Sequence, residues 1–213
     1  GRHVTIPSVV YLGEPNRILY EALPELPWIA PPQSIVTLPI SFASIKANMR
    51  QYIEHGAIRF LARRELEDIK GFDHVLVNSI FSRENILRIY NIESSVCYLG
   101  IDSETYRPTS EPKENFIVGL GSFHGIKGID RAIRAVATID KNNRMPLLWI
   151  GNTYSETDLS GFRVLARQLD VEFISKINIS DAEVIGLLSR AAVMIYTSRL
   201  EPFGLAPLEA NAC

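Results

Sequence analysis

FIVGLGSFHGIKGIDRAIRAVATI, residues 116–139, reads as three elements in succession: an apolar strand from Phe116 to Leu120, a glycine loop from Gly121 to Gly128, and a helix from Ile129 to Ile139. Glycines at a strand-to-helix turn let the backbone approach an anion, and Lys127 adds a point charge beside the positive end of the helix dipole. A diphosphate suits such a loop. Many turns of this kind need glycine only for packing, so the loop alone leaves both accounts open. Gly119, Gly121 and Gly125 approximate the fingerprint of a dinucleotide site, but that site wants an acid for the ribose at the end of the following strand. Here the strand Leu147 to Ile150 ends in Gly151-Asn152, so NAD is disfavoured. His124, in the same loop, is a candidate hydrogen-bond donor to phosphate, with an exposed histidine of no such role as the plainer account.

Working towards the C-terminus, the rhythm repeats: helix Gly161 to Leu169, strand Val171 to Ile174, helix Asp181 to Arg190, strand Ala192 to Tyr196. Short, fully apolar strands alternating with helices specify a parallel sheet covered on both faces, so the expected class is α/β and Rossmann-like. The last strand feeds TSRLEPFGLAPLEANAC, from Thr197 to Cys213, which sets Glu201 and Glu209 at either end of a Pro-Phe-Gly-Leu-Ala-Pro-Leu insert. Strand ends that lead into helix starts are where open α/β sheets bind ligands. The plainer account of the two carboxylates is a pair of surface groups capping a helix.

Towards the N-terminus, Val4 to Leu12 reads as a strand interrupted by Pro7, and a proline-dense connector runs from Pro24 to Pro39. From Phe42 to Lys70 the apolar residues fall near helical spacing, with Gly56 as a break. Arg59, Arg63 and Arg64 form a basic cluster there, a candidate contact for phosphates or an anionic membrane surface, but Glu65, Glu67 and Asp68 interleave with it, which favours a solvated face. His74 to Ser79 reads as a buried strand, Ser82 as the cap of a helix from about Arg83 to Tyr90, and Ser94 to Leu99 as a further strand. The polar stretch Ser103 to Lys113 is a linker, placing a domain border near residue 110.

The 213 residues carry 22 Lys and Arg against 24 Asp and Glu, a formal charge of -2, which leaves no field to draw the chain to nucleic acid. Two cysteines fit a reducing compartment, and the cytoplasm is the expected location. No histidines or cysteines stand at metal-ligand spacing, so no metal site is expected. The first residues lack a signal-peptide design and no helix-ending signal precedes Cys213, so both ends are expected to be cuts in a longer protein.

EPFGLAPLE, preceded by Thr197-Ser198, resembles the Glu, seven residues, Glu motif of retaining GT-B-fold glycosyltransferases, the glycosyl transferases group 1 or family-four type. The likeness covers essentially the whole chain. Asp73 to Ser79 with Phe81-Ser82, then Tyr98 to Asp102, is similar to that family's path out of its N-terminal domain. Lys127-Gly128 stands where the family's phosphate-binding Lys-Gly stands, and Gly13-Glu14-Pro15 with Arg17, Tyr20 and Glu21 resembles an N-terminal loop. Two departures stand out: Ser122 replaces the family's usual arginine, and Ser175 replaces its usual glycine after a strand.

The resemblance implies GT-B architecture: residues 1–110 as the end of an acceptor-side Rossmann-like domain plus linker, and 111–213 as the start of a donor domain, both incomplete in this chain. It implies a metal-independent transfer of a hexose, with retention, from a nucleotide-sugar (UDP-, GDP- or ADP-linked) to a glycan, lipid-linked or small-molecule acceptor, and no further cofactor. A lipid-linked acceptor would bring the enzyme to the inner face of the membrane as a peripheral contact. Carried over by position, Lys127 meets the diphosphate and Glu201 the transferred sugar, Phe203, Gly204 and Leu205 offer backbone N–H groups, and Glu209 binds the ribose. Gly121, Ser122, His124, Gly125, Gly151, Asn152, Lys176 and Ile177 complete the implied donor site, with Glu14 and Arg17 on the acceptor side. A nucleotide-sugar epimerase, or a glycosyltransferase-like module that binds a nucleotide without turnover, stays open as an alternative.

Overall fold

The computed structural model describes residues 6–15, 57 and 60–213, and the chain divides into two compact units, Gly1–Tyr98 and Leu99–Cys213. Arg17, Tyr20, Glu21, the proline-dense connector, Gly56 and Arg59 lie outside the described residues. Each unit is built on its own parallel sheet.

The first unit has the strand order β1-β2-β3, with β1 Val9–Tyr11, β2 His74–Val77 and β3 Ser95–Val96. Residue 57 and residues 60–69 are helical (α1, 60–69), and α2 spans Ile80–Tyr90. Ile69, Val75, Val77, Ile86 and Tyr90 form its buried core. The Asp73 carboxylate ties β1 to β2 by accepting from the Ser8 N–H at 2.8 Å, and that bond, ahead of its other causes, holds its carboxyl below the usual carboxylate range. The α2 cap is a correction to the sequence reading. Ser79, not Ser82, is the N-cap, and its Oγ accepts from the Ser82 N–H at 3.0 Å. Ser82 is itself fully buried, its one hydroxyl proton shared between the Gly13 carbonyl and Asn78 Oδ1. The strands are also shorter than expected: Ser94 to Leu99 contracts to the two residues of β3, and among the described residues the stretch ending at Leu12 pairs over Val9–Tyr11.

The second unit has the order β6-β5-β4-β7, all parallel, with β4 Glu114–Leu120, β5 Leu147–Gly151, β6 Phe173–Ile177 and β7 Ala191–Met194. Helices α3 Ile129–Ala137, α4 Glu156–Gln168, α5 Asp181–Arg190 and α6 Leu205–Ala212 connect and follow the strands. Alternate residues of the central strands serve opposite cores. Ile117, Leu147 and Trp149 pack on α3 and α4 through Ile129, Ile133, Val136, Leu159 and Phe162. Phe116, Val118, Leu148 and Ile150 pack on the other face with Leu187 and Leu188 of α5. Burial on both faces is why these strands read as unbroken apolar runs.

Three element boundaries move. α4 begins at Glu156, five residues ahead of Gly161, because Ser155 caps it by accepting from the Asp158 N–H at 3.1 Å. β6 starts at Phe173 and continues to Ile177, carried on by its register with β5 through Gly151↔Ile177. β7 ends at Met194 and flanks the sheet on one side only among the described residues, so Val193 is 48% exposed where a buried strand was expected. Among the described residues no helix is long and apolar enough to cross a membrane.

Candidate active site

The strand order sets where a ligand can sit. From β4 the chain steps outward to β5 and β6, then β7 returns to the other side of β4. The loops leaving β4 and β7 therefore diverge from neighbouring strand ends, the switch point at which open α/β sheets hold ligands.

The first loop is fixed from below. Trp149 Nε1 donates to the Gly121 carbonyl at 2.8 Å, and the Phe123 N–H donates to the Thr153 carbonyl at 2.7 Å with the Phe123 ring fully buried. Gly125–Lys127 then forms a single 3-10 turn that ends at Gly128, whose φ of 72° starts α3. The second loop is stitched to this turn. Thr197 Oγ1 donates to the Lys127 and Gly128 carbonyls at 3.1 and 2.9 Å, the Arg199 N–H donates to the Ile126 carbonyl at 3.0 Å, and the Arg131 guanidinium donates to the Thr197 carbonyl.

This crossing brings Lys127 Nζ within 2.6 Å of Glu201 Oε2, which also accepts from the Ser198 hydroxyl at 3.0 Å. Burial acts to raise the Glu201 carboxyl, but the Lys127 ammonium, with Ser198 and Tyr196, overrides it and holds the group below the usual range. Glu201 is thus an ionised acceptor at neutral pH. The stem of Lys127 lies across Gly121, where an added Cβ would stand 3.3 Å from its Cδ.

Gly121 borders a second feature, a pocket of about 240 Å³ over the ends of β4, β5 and β6. Leu120, Ile150, Ile179 and Val184 line its apolar side, and Asn152, Asp181, Tyr106 and Glu209 its polar side. Burial, with the nearby Asp181 charge, raises the Glu209 carboxyl, and a hydrogen bond from Tyr106 opposes the rise.

The expected site residues fall into two groups. Lys127, Glu201, Gly121, Gly151, Asn152 and Glu209 converge on the switch point and the adjoining pocket. Gly204, with φ 86°, is the N-cap of α6, so Phe203 and Leu205 flank that helix start, and Pro207 sits in its first turn. Others do not converge. His124 Nδ1 lies 3.2 Å from Asp158 Oδ2 in α4. Ser122 engages the turn through its carbonyl, which accepts from the His124 N–H at 2.8 Å. Ile177 packs against the α3/α4 core, and Lys176 is half-buried within β6 outside the pocket lining. Glu14 belongs to the first unit, where it is half-buried. The structure adds Tyr106 and Asp181, which the sequence reading left in a linker and at a helix start. Among the described residues no group of three or more His, Cys, Asp or Glu is placed to hold a metal ion.

With this geometry in place, the likeness to known proteins bears on it directly. A family model described as glycosyl transferases group 1 matches residues 102–213. The O-antigen chain mannosyltransferase RfbU of Salmonella typhimurium is 26% identical over 165 residues, 76% of this chain and 45% of that protein. The GDP-Man:Man(3)GlcNAc(2)-PP-Dol alpha-1,2-mannosyltransferase of Xenopus laevis is 26% identical over 156 residues, 66% of this chain and 32% of that protein. The chain thus spans less than half the length of the curated relatives it matches. Among solved structures, Anabaena Alr3699/HepE in complex with UDP and glucose superposes with a TM-score of 0.62 at 18% identity, covering 71% of this chain and 46% of that one. That likeness establishes the fold: parallel-sheet α/β units of the GT-B kind.

Proposed function

The chain belongs to the glycosyl transferases group 1 family, and from that premise we propose that it supplies the donor site of a retaining, metal-independent glycosyltransferase. The enzyme moves a hexose from a nucleotide-sugar to a glycan, lipid-linked or small-molecule acceptor. The observation that carries this reading is the 2.6 Å Lys127–Glu201 pair, held where the β4 and β7 loops cross.

The leaving group is a nucleoside diphosphate, so stabilising its developing negative charge is the main catalytic task. Lys127 sits at the start of α3 and meets that charge, with the backbone N–H groups that open α3 and α6 as further donors. Glu201, kept ionised by its surroundings, accepts from hydroxyls of the transferred sugar. Glu209 accepts from the ribose, and the apolar side of its pocket takes the base. Donor hydroxyls and phosphate oxygens then compete for the two ends of the Lys127–Glu201 bond. Attack from the face the diphosphate leaves gives retention of configuration. Both curated relatives are mannosyltransferases, and one carries GDP-mannose in its name, so GDP-mannose heads the donor panel ahead of UDP- and ADP-sugars. The reaction belongs to the cytoplasm, at the inner membrane face where the acceptor is lipid-linked.

Time-resolved NMR on the intact protein, with each donor and a panel of glycan and lipid-linked acceptors, tests the reading. A product with the donor's anomeric configuration is the expected result. An epimerised donor, an inverted product or nucleotide binding with no turnover anywhere in the panel would overturn it.

A further inference from the structure

Tyr106 precedes both loops of the donor site and takes no part in the proposed transfer. Its segment is nevertheless held firmly. The Asp102 carboxylate accepts from the Glu104 N–H at 3.0 Å and the Thr105 hydroxyl at 2.5 Å, and the Asp102 carbonyl accepts from the Tyr106 N–H at 2.8 Å. Three residues on, the Thr109 N–H donates to Oγ of Ser189 at 3.2 Å, a buried residue of α5. The turn at one end and the tether at the other set Tyr106 into the wall of the pocket that Glu209 also lines.

We propose that Tyr106 is a positioning residue: its hydroxyl donates to one oxygen of Glu209, orients the other towards the pocket, and so makes the site select ribonucleotides over 2′-deoxyribonucleotides. The proposal rests on the reading of Glu209 as the ribose acceptor. Glu209 is a half-buried carboxylate on a short helix, faced by Asp181 from the first turn of α5 and by Cys213 on its own helix. Burial and the like charge of Asp181 both favour a protonated Glu209, and of the groups facing it the Tyr106 phenol opposes that. An ionised carboxylate accepts two hydroxyls at once, whereas a protonated or rotated one gives up an acceptor. Phenylalanine at 106 would keep the ring in the wall and remove only the donor.

The test uses the intact protein and calorimetry. UDP, GDP and ADP are screened, and the tightest binder is compared with its own 2′-deoxy counterpart in wild type, Tyr106→Phe and Glu209→Gln. Wild type is expected to favour the ribonucleotide by about tenfold or more, the scale of one lost hydrogen bond to a charged group. Tyr106→Phe should narrow that ratio at least threefold while its melting temperature stays near wild type. A Tyr106→Phe ratio equal to wild type overturns the proposal. A wild type that does not discriminate, or a Glu209→Gln variant that discriminates as well as wild type, overturns instead the ribose assignment beneath it. If Tyr106→Phe is too unstable for calorimetry, the acid limb of nucleotide binding decides by thermal shift. Loss of the phenol raises the Glu209 proton affinity, so binding should fail at higher pH than in wild type, and an unmoved limb refutes the idea.

Discussion

Replacing Gly128 with alanine should pull apart the two loops that make the candidate active site. Gly128 is buried and sits at φ 72°, so any side chain there adopts a left-handed backbone at a cost of about 1–2 kcal/mol. Its Cβ would also stand 2.1 Å from the Thr197 carbonyl oxygen, against 3.4 Å where ordinary contact begins, so the Thr197 backbone must retreat by about 1.3 Å, the difference. A shift of that size breaks the hydrogen bond that the Thr197 hydroxyl shares between the Lys127 and Gly128 carbonyls, worth about 0.5–1.5 kcal/mol. The expected loss is therefore roughly 1.5–3.5 kcal/mol. Urea unfolding measures it, with Trp28→Phe as background so that Trp149, buried in this unit, reports alone. The control lies three residues away. A Cβ at Gly125 meets nothing within 4 Å, so Gly125→Ala should stay within about 0.5 kcal/mol of the parent. A Gly128→Ala loss under 1 kcal/mol, or a Gly125→Ala loss of the same size as Gly128→Ala, would refute the stitched-loop account.

Lys127→Ala should lower kcat by roughly 10²–10³, the scale of a lost transition-state donor, and an unchanged kcat in steady-state assays removes Lys127 from the chemistry. The two glutamates should respond to pH in opposite senses. The Glu201 carboxyl is held low, so its stabilisation is present above the ordinary value near about 4.3 and is lost as pH falls through its folded value. Glu201→Gln should accordingly melt below wild type at neutral pH by on the order of 1 kcal/mol, with the gap closing in acid. The Glu209 carboxyl is raised, so its stabilisation is present below that ordinary value and is lost as pH rises through its folded value. Glu209→Gln should melt above wild type at neutral pH and converge with it in acid. Melting curves for both variants across pH check the pair, and the same sign for both would contradict the site's electrostatics.

β5, and β4 from Phe116 onward, are legible in the sequence because burial on both faces removes charge from those positions, and α5 because its polar cap adjoins an apolar pattern. The start of α4 is not. Ser155-Glu156-Thr157-Asp158 looks like loop until Ser155 is seen accepting from the Asp158 N–H, since capping residues and loop residues are the same types. The Ser79 cap is hidden in the same way, with the buried Ser82 as a false candidate one turn later. The site splits along a similar line. Lys127 and Glu201 each stand out by type and local context, but the bond between them joins residues 74 apart and depends on β7 lying beside β4. Tyr106 leaves no local signal, because only the tertiary fold brings the linker against Glu209. The glycines show why a pattern of residue types underdetermines a site. A Cβ would strike the Trp149 ring at Gly119, the Thr197 carbonyl at Gly128 and the Gly121 carbonyl at Gly151, so those three are explained by packing. Gly125 alone among the glycines of the loop has open space around it, and Gly121 carries only the flexible stem of Lys127 above it. The packing and anion-binding accounts of the loop therefore do not compete, because they describe different glycines. Of the second pair, Gly125 is the one whose surroundings leave room for an anion to approach, because the Gly121 N–H already donates to the Ile150 carbonyl.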